Sequence, residues 1–358
     1  MSSLSRITEP LTIGPVKVNS RVMLAPMAGV TDVVFRSLVR RHAPESLICT
    51  EMISSNGMVY SKRRDARILD KGESDHPIAY QLAANRPEVL VQAAQNIIED
   101  KNPDTIDLNM GCPVKKITGN FEGCALMKDP DQAHQLIETL VKSIDKPVTV
   151  KFRLGWDGNT KNYKEFGQMA ESAGASMVTM HARTRAQGYA PGCDWDAFGT
   201  LKQAVSIPVI ANGDINTVED AVHIMTTYGV DGVMIGRGAQ GKPWIIGDID
   251  RVLKSGEPFV ERPLSEKLAI CFDHVQRHCD WRGEAFGIKD MRKHLAWYVK
   301  GFPGASQFRA QLTQVESIED AERILGELLT YASTHRHGEV VQDVNPASFS
   351  QDELAPAL

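Results

Sequence analysis

Short apolar, β-branched runs return along this chain at near-regular intervals, and helical spacing fills most gaps between them. The runs cover residues 22–25, 47–50, 78–81, 105–109, 148–152, 177–181, 209–212 and 232–235. The spacing predicts helices over 32–41, 86–99, 130–143, 163–173, 195–205 and 218–228. Thr217, ahead of Val218-Glu219-Asp220, is a fitting cap for the last of these. Eight strand–helix units over roughly 240 residues have the size of a (β/α)8 barrel. A doubly wound sheet is the alternative, but it seldom needs eight such regular units.

Polar residues sharpen that choice. Nearly every predicted strand ends in a chemically useful group. The first ends in Pro26-Met27-Ala28-Gly29, the second in Glu51, the third in Gln81, and the fourth in Asn109 and Cys112. The fifth carries Lys151 and Arg153, the sixth ends in His181 and Arg183, the seventh in Asn212-Gly213-Asp214 and the eighth in Gly236-Arg237-Gly238. A barrel of this kind builds its active site at the C-terminal ends of its strands.

Beyond about residue 248 strand signals stop. Glu257-Pro258 and Arg262-Pro263 mark a linker. Helical periodicity follows at 265–279, 288–300, 308–314 and 318–333. The expected organisation is a catalytic barrel over 1–248, a small helical domain over 262–335, and a disordered polar, acidic tail over 336–358. Hydrophobic content of 42% and charged content of 24% describe an ordinary soluble globular chain. No apolar run is long enough for a membrane span, and the N-terminus lacks the hydrophobic stretch of a signal peptide. Six irregularly spaced cysteines, none in a CxxC pair, argue against a zinc site and against a disulfide framework, so a reduced, cytoplasmic protein is expected. With a net charge of −5, any nucleic-acid binding must come from local basic patches.

Four constellations carry chemistry. Cys112 lies between Gly111 and Pro113 in a tight turn, a poor place for a thiol that only packs, although free cysteine is often buried. The glycine-bearing loops Asn212-Gly213-Asp214 and Gly236-Arg237-Gly238 suit an anion such as phosphate, with ordinary tight turns as the plainer alternative. Alternation puts Lys151 and Arg153 on one face of a strand, where an anion, an electron-rich ring or internal salt bridges to Glu51 or Asp214 could meet them. Lys151 could also form a Schiff base, as in barrel aldolases. His181 stands at a strand end with no second ligand at metal spacing. Two segments are basic: Ser61 to Arg67 carries four cations and one acid, and 285–310 carries Lys289, Arg292, Lys293, Lys300 and Arg309 against Asp290. Trp297, Tyr298, Phe302 and Phe308 interleave with the second set, which suits either an RNA surface or a solvated helix face over aromatic core.

Together these residues resemble the tRNA-dihydrouridine synthases, most closely the bacterial B-type branch, over roughly residues 10–330. The resemblance rests on Ala25-Pro26-Met27-Ala28-Gly29-Val30-Thr31-Asp32, Gln81-Leu82-Ala83, Leu108-Asn109-Met110-Gly111-Cys112-Pro113 with Lys115 and Lys116, Lys151-Phe152-Arg153-Leu154-Gly155-Trp156, His181-Ala182-Arg183-Thr184-Arg185, Ile210-Ala211-Asn212-Gly213-Asp214 and Ile235-Gly236-Arg237. It implies an FMN-binding barrel followed by a helical domain, FMN reduced by NADPH, and tRNA as substrate. Carried over, Pro26, Met27 and Ala28 line the flavin and Gln81 bonds its ring. Lys151 stabilises the reduced flavin, and His181 contacts it. Asn212, Gly213, Asp214, Gly236 and Arg237 hold the ribityl phosphate. Cys112 donates the proton, and Asn109 and Arg153 orient the uracil. Lys115, Lys116, Arg183, Lys289, Arg292 and Lys293 become the expected tRNA contacts, on a protein expected to be monomeric. Cys124 is a second thiol near the motif. The enzymatic alternative is a flavin barrel like dihydroorotate dehydrogenase, which has no need of the basic helical domain. The non-enzymatic one is a tRNA-binding protein on an inactive barrel.

Overall fold

The computed structural model describes residues 9–61, 66–190, 192–301 and 304–335. Lys62, Arg63 and Arg64 of the first basic segment, Phe302 and the tail 336–358 lie outside them. The chain divides into two compact units, Met1–Ala239 with Pro243–Phe259, and Gln240–Lys242 with Val260–Leu358.

The first unit is a closed parallel barrel. Its chain begins with an antiparallel hairpin, β1 (Leu11–Ile13) and β2 (Val16–Val18), turned by Gly14 at φ +57°. The barrel strands are β3 (Val22–Leu24), β4 (Ile48–Cys49), β6 (Ile78–Ala83), β7 (Thr105–Met110), β8 (Val148–Arg153), β9 (Met177–His181), β10 (Val209–Asn212) and β11 (Gly232–Ile235). The short β5 (Ile53–Ser54) also lies on β6. β3 pairs with both β4 and β11, and β4 pairs with β6, which closes the ring. A doubly wound sheet is thereby excluded.

Two features escaped the periodicity. The hairpin runs are three residues each, below the length at which alternation can be recognised. They matter for packing: Leu11, Ile13 and Val18 join Met23, Leu47, Met177 and Ile210 in one buried cluster. The second strand is interrupted at Thr50–Met52, where Glu51 turns to accept the Gly29 N–H at 2.5 Å and ties the first two rim loops together.

The longer barrel helices follow the expected spacing, while the short helices Ser55–Tyr60 and Lys115–Thr118 and one longer helix were not expected. Ile245–Ser255 is a further barrel helix that runs through residue 248. Ile245, Ile246 and Ile249 are buried, and a Cβ at Gly247 would stand 2.0 Å from the His42 carbonyl oxygen. Only glycine allows that close approach to the first barrel helix, Val33–His42.

The second unit contains helices Leu264–Arg282, Glu284–Tyr298, Ala305–Leu312 and Ile318–Thr334. Tyr298 and Phe308 are buried, so these aromatics pack the unit rather than face RNA. Among the described residues, no helix is long and apolar enough to cross a membrane.

His274 and His294 are buried together, with ring centroids 4.8 Å apart. Burial pulls His274 down to about 3, with His278 and Lys293 adding to the shift, and it holds His294 well below the usual histidine range. Depressed histidine values mean that the unfolded chain binds more protons below pH about 6.5, so stability must fall as pH drops through that value. The expected slope is up to about 1.4 kcal/mol per pH unit for each histidine. Unfolding midpoints of the helical unit measured from pH 7.5 to 5 would show it, and a flat profile would refute it.

Candidate active site

The Cys112 loop is built by the end of β7. Asn109 Oδ1 accepts the backbone N–H groups of Gly111 (3.1 Å) and Cys112 (2.9 Å), an Asx turn that bends the chain off the strand. A Cβ at Gly111 would lie 3.4 Å from the Phe152 backbone. Behind the loop, Cys124 N donates to the Cys112 carbonyl at 3.1 Å. Cys112 itself is half-buried, while Cys124 is fully buried. Burial pushes the Cys124 thiol up to about 12, so it is an inert packing group. Burial also raises Cys112, against a hydrogen bond from the Val114 backbone and the charges of Arg153 and Lys151. The thiol therefore remains protonated at neutral pH.

Three residues differ from their expected roles. Gln81 is 0% exposed, and its carboxamide is turned to protein: Nε2 donates to Asp107 Oδ2 and Oε1 accepts from Asn109 Nδ2, both at 2.7 Å. Asn109 thus meets Gln81 on one side and the Cys112 loop on the other. Arg153 is 2% exposed, and its guanidinium donates to the carbonyls of Gly111 (2.8 Å), Thr184 (3.0 Å) and Gly188 (2.8 Å). It fastens rim loops instead of orienting uracil. Arg183, expected on the RNA, is 1% exposed and donates to the Ala190 carbonyl, to His181 Nε2 and to Asp214. Alternation gives the face of such a residue correctly; the loops that cover it come from elsewhere in the chain.

The glycine-bearing loops after β10 and β11 lie near Lys151. Lys151 Nζ donates to Asn212 Oδ1 at 2.8 Å, and Asn212 Nδ2 donates to the Met234 carbonyl at 2.8 Å, so β8, β10 and β11 meet at one ammonium. Burial, with Arg153 nearby, lowers Lys151 to about 8, which leaves it mostly cationic at pH 7. Arginine has no acceptor, so His181 Nε2 must accept from Arg183 and its proton sits on Nδ1. Burial and four surrounding cations keep that imidazole neutral. Arg237 bonds Asp214 at 3.2 Å and is otherwise half-exposed. A Cβ at Gly236 would make only ordinary contacts, with Ala25 Cβ at 3.7 Å and Asn212 Nδ2 at 4.0 Å. The cationic side chains Lys151, Arg183 and Arg237 gathered about these loops suit a phosphate-bearing group. Pro26, Met27 and Ala28 border the same rim, partly or fully exposed.

Tyr189 escaped the sequence rules because it lies eight residues beyond its strand. It is 57% exposed, with Arg153 and Arg237 stacked at 5.4 and 5.0 Å from its ring centroid. A lone aromatic in a glycine-flanked rim loop was the available signal. Lys115 and Lys116 are exposed on the turn after Cys112. In the helical unit Lys289 and Lys293 are exposed, whereas Arg292 donates to the Val315 carbonyl at 2.9 Å and braces its own unit.

A closed (β/α)8 barrel with a thiol, a partly buried lysine and a cationic anion loop at its C-terminal rim defines a barrel enzyme. The dihydrouridine synthase family model matches residues 23–333, and the chain belongs to that family. It is 42% identical over 324 residues to a probable tRNA-dihydrouridine synthase 1 of Synechocystis, covering 90% of each chain. It is 39% identical over 308 residues to tRNA-dihydrouridine synthase B of Pseudomonas aeruginosa, covering 86% of this chain and 92% of that one. Among solved structures, histamine dehydrogenase from Rhizobium sp. 4-9 aligns with a TM-score of 0.56 at 13% identity, over 94% of this chain and 65% of that one, a likeness of fold.

Proposed function

We propose that this protein reduces the C5–C6 double bond of a uridine in tRNA, with FMN as bound cofactor and NADPH as its reductant. One observation supports the reading: a half-buried thiol is held at the barrel rim near the partly buried ammonium of Lys151, whose charge acts on it. Flavin, when bound, supplies hydride to C6 of the uracil.

The chain's own residues do the rest. Cys112 Sγ gives its proton to C5 as negative charge develops there, and the thiolate regains a proton from water. Arg153 and Lys151 ease that step because their charges favour the thiolate. Lys151, aimed by Asn212, would stabilise the negative charge of a reduced flavin, and the Nδ1 proton of His181 would be available to the same ligand. Gly213, Asp214, Gly236 and Arg237 would hold the ribityl phosphate, and Pro26, Met27 and Ala28 would line the ring. A base inside a tRNA stack cannot reach this depth, so the uridine is flipped out. Lys115 and Lys116 take RNA phosphates at the mouth, and the helical domain supplies Lys289 and Lys293. The work is placed in the cytoplasm, and one chain carries every residue named.

The test is direct. Purified protein should be yellow, and with NADPH it should form dihydrouridine in tRNA that lacks it; a colourless protein, or tRNA left unchanged, would overturn the proposal. Reversing Lys289 and Lys293 to glutamate should weaken tRNA binding at least tenfold. It should also flatten the log–log salt dependence by about one unit per lost phosphate contact. Binding and slope unchanged in the double variant would remove the helical face from the RNA interface.

A further inference from the structure

Asp107 opens the Cys112 motif, is 2% exposed, and has no part in the mechanism above. Its carboxylate accepts from Thr149 Oγ1 at 2.5 Å and from Gln81 Nε2 at 2.7 Å. The chain continues from Gln81 Oε1 to Asn109 Nδ2, and from Asn109 Oδ1 to the N–H groups of Gly111 and Cys112. Each link has a direction. A carboxylate only accepts, so it selects the NH2 end of Gln81. Gln81 must then show its oxygen to Asn109, and Asn109 must show its oxygen to the loop. Turned the other way, Asn109 Nδ2 would face two backbone donors and the Asx turn would be lost.

We propose that Asp107 is a positioning residue, whose carboxylate fixes the direction of the Gln81–Asn109 amide chain and so holds the Cys112 loop in its proton-donating geometry. The inference rests on Cys112 being the proton donor.

Asp107 is faced by Thr149 and Lys151 from β8, Gln81 from β6 and the buried Cys49 thiol from β4. Burial raises its carboxyl to about 6, against the two hydrogen bonds and Lys151. A protonated Asp107 can donate to Gln81 Oε1, which permits the reversed chain. The direction of the chain is therefore fixed above pH about 6, and that constraint weakens below it.

The experiment uses enzyme whose flavin has been reduced chemically beforehand, mixed with saturating tRNA lacking dihydrouridine, and follows single-turnover flavin oxidation against pH. Wild type should lose rate on the acid side with a midpoint near pH 6. Thr149→Val removes one donor from the carboxylate and should move that midpoint up by half a pH unit or more. Asp107→Asn, with flavin content unchanged, should be at least tenfold slower with no acid limb. If Asp107→Asn does not fold, the wild-type and Thr149→Val profiles decide alone. An acid limb that is absent from wild type, or unmoved by Thr149→Val while Cys112→Ala is inactive, overturns the role of Asp107. Full activity in Cys112→Ala overturns the proton-donor reading instead.

Discussion

Replacing Cys112 by alanine should leave a folded, yellow protein whose uridine reduction is slower by about 10²–10⁴-fold, the usual range for a lost general acid. Fold and cofactor should survive because the loop is held through its backbone: the Cys112 N–H by Asn109 and the Cys112 carbonyl by Cys124 N. The thiol itself contributes chemistry and little packing, since it is only half-buried. Cys112→Ser should not restore the rate, because a hydroxyl is a far weaker acid than a thiol. Cys124 cannot take over, for burial has closed it off. The measurement is dihydrouridine formed per flavin in a single turnover, and a rate within twofold of wild type would exclude the assigned role.

The second large effect is on stability. Asp214→Ala removes the carboxylate that meets Arg183, whose side chain is 1% exposed against 28% for Asp214. Removing one partner of a buried pair costs about 3–5 kcal/mol, and the partial exposure of Asp214 argues for the lower figure. Asp214 also sits at φ +53°, a conformation that alanine adopts less readily than aspartate or asparagine. Asp214→Asn should therefore lose less than Asp214→Ala. A loss of about 3 kcal/mol corresponds to roughly 6–12 °C in the unfolding midpoint of a unit this size. A midpoint within 1 °C of wild type in Asp214→Ala would mean that the carboxylate does not support Arg183.

The barrel was legible in the sequence because each strand is a short apolar run that ends in a polar group, and because that rule needs no knowledge of neighbours. Cys112, Lys151 and Asn212 were found this way, and the structure brings Lys151 and Asn212 into direct contact. Partners were not legible. Gln81, Arg153 and Arg183 each point into the rim, as alternation requires. Whether a side chain there meets a ligand or a carbonyl depends on loops such as 184–190, whose path leaves no periodic trace. The interruption of the second strand was missed for a related reason: Glu51–Met52 keeps its apolar flanks while leaving the ladder, one residue past the last bond, from Thr50 N to the Ala79 carbonyl.

Arg153 has a mechanical consequence. Its one guanidinium rivets the loop after β7 to the loop after β9, and backbone bonds from Arg185 to Gly155 and from Ala186 to Trp156 fasten the loop after β8 to the same piece. Three of the eight loops around the mouth thus form one preorganised collar. Such a collar need not close over its substrate, and little conformational entropy is lost there on binding. Under the proposed function, discrimination between one RNA and another would then fall to the nucleic acid, through the work of extruding a base into an aperture that is already set.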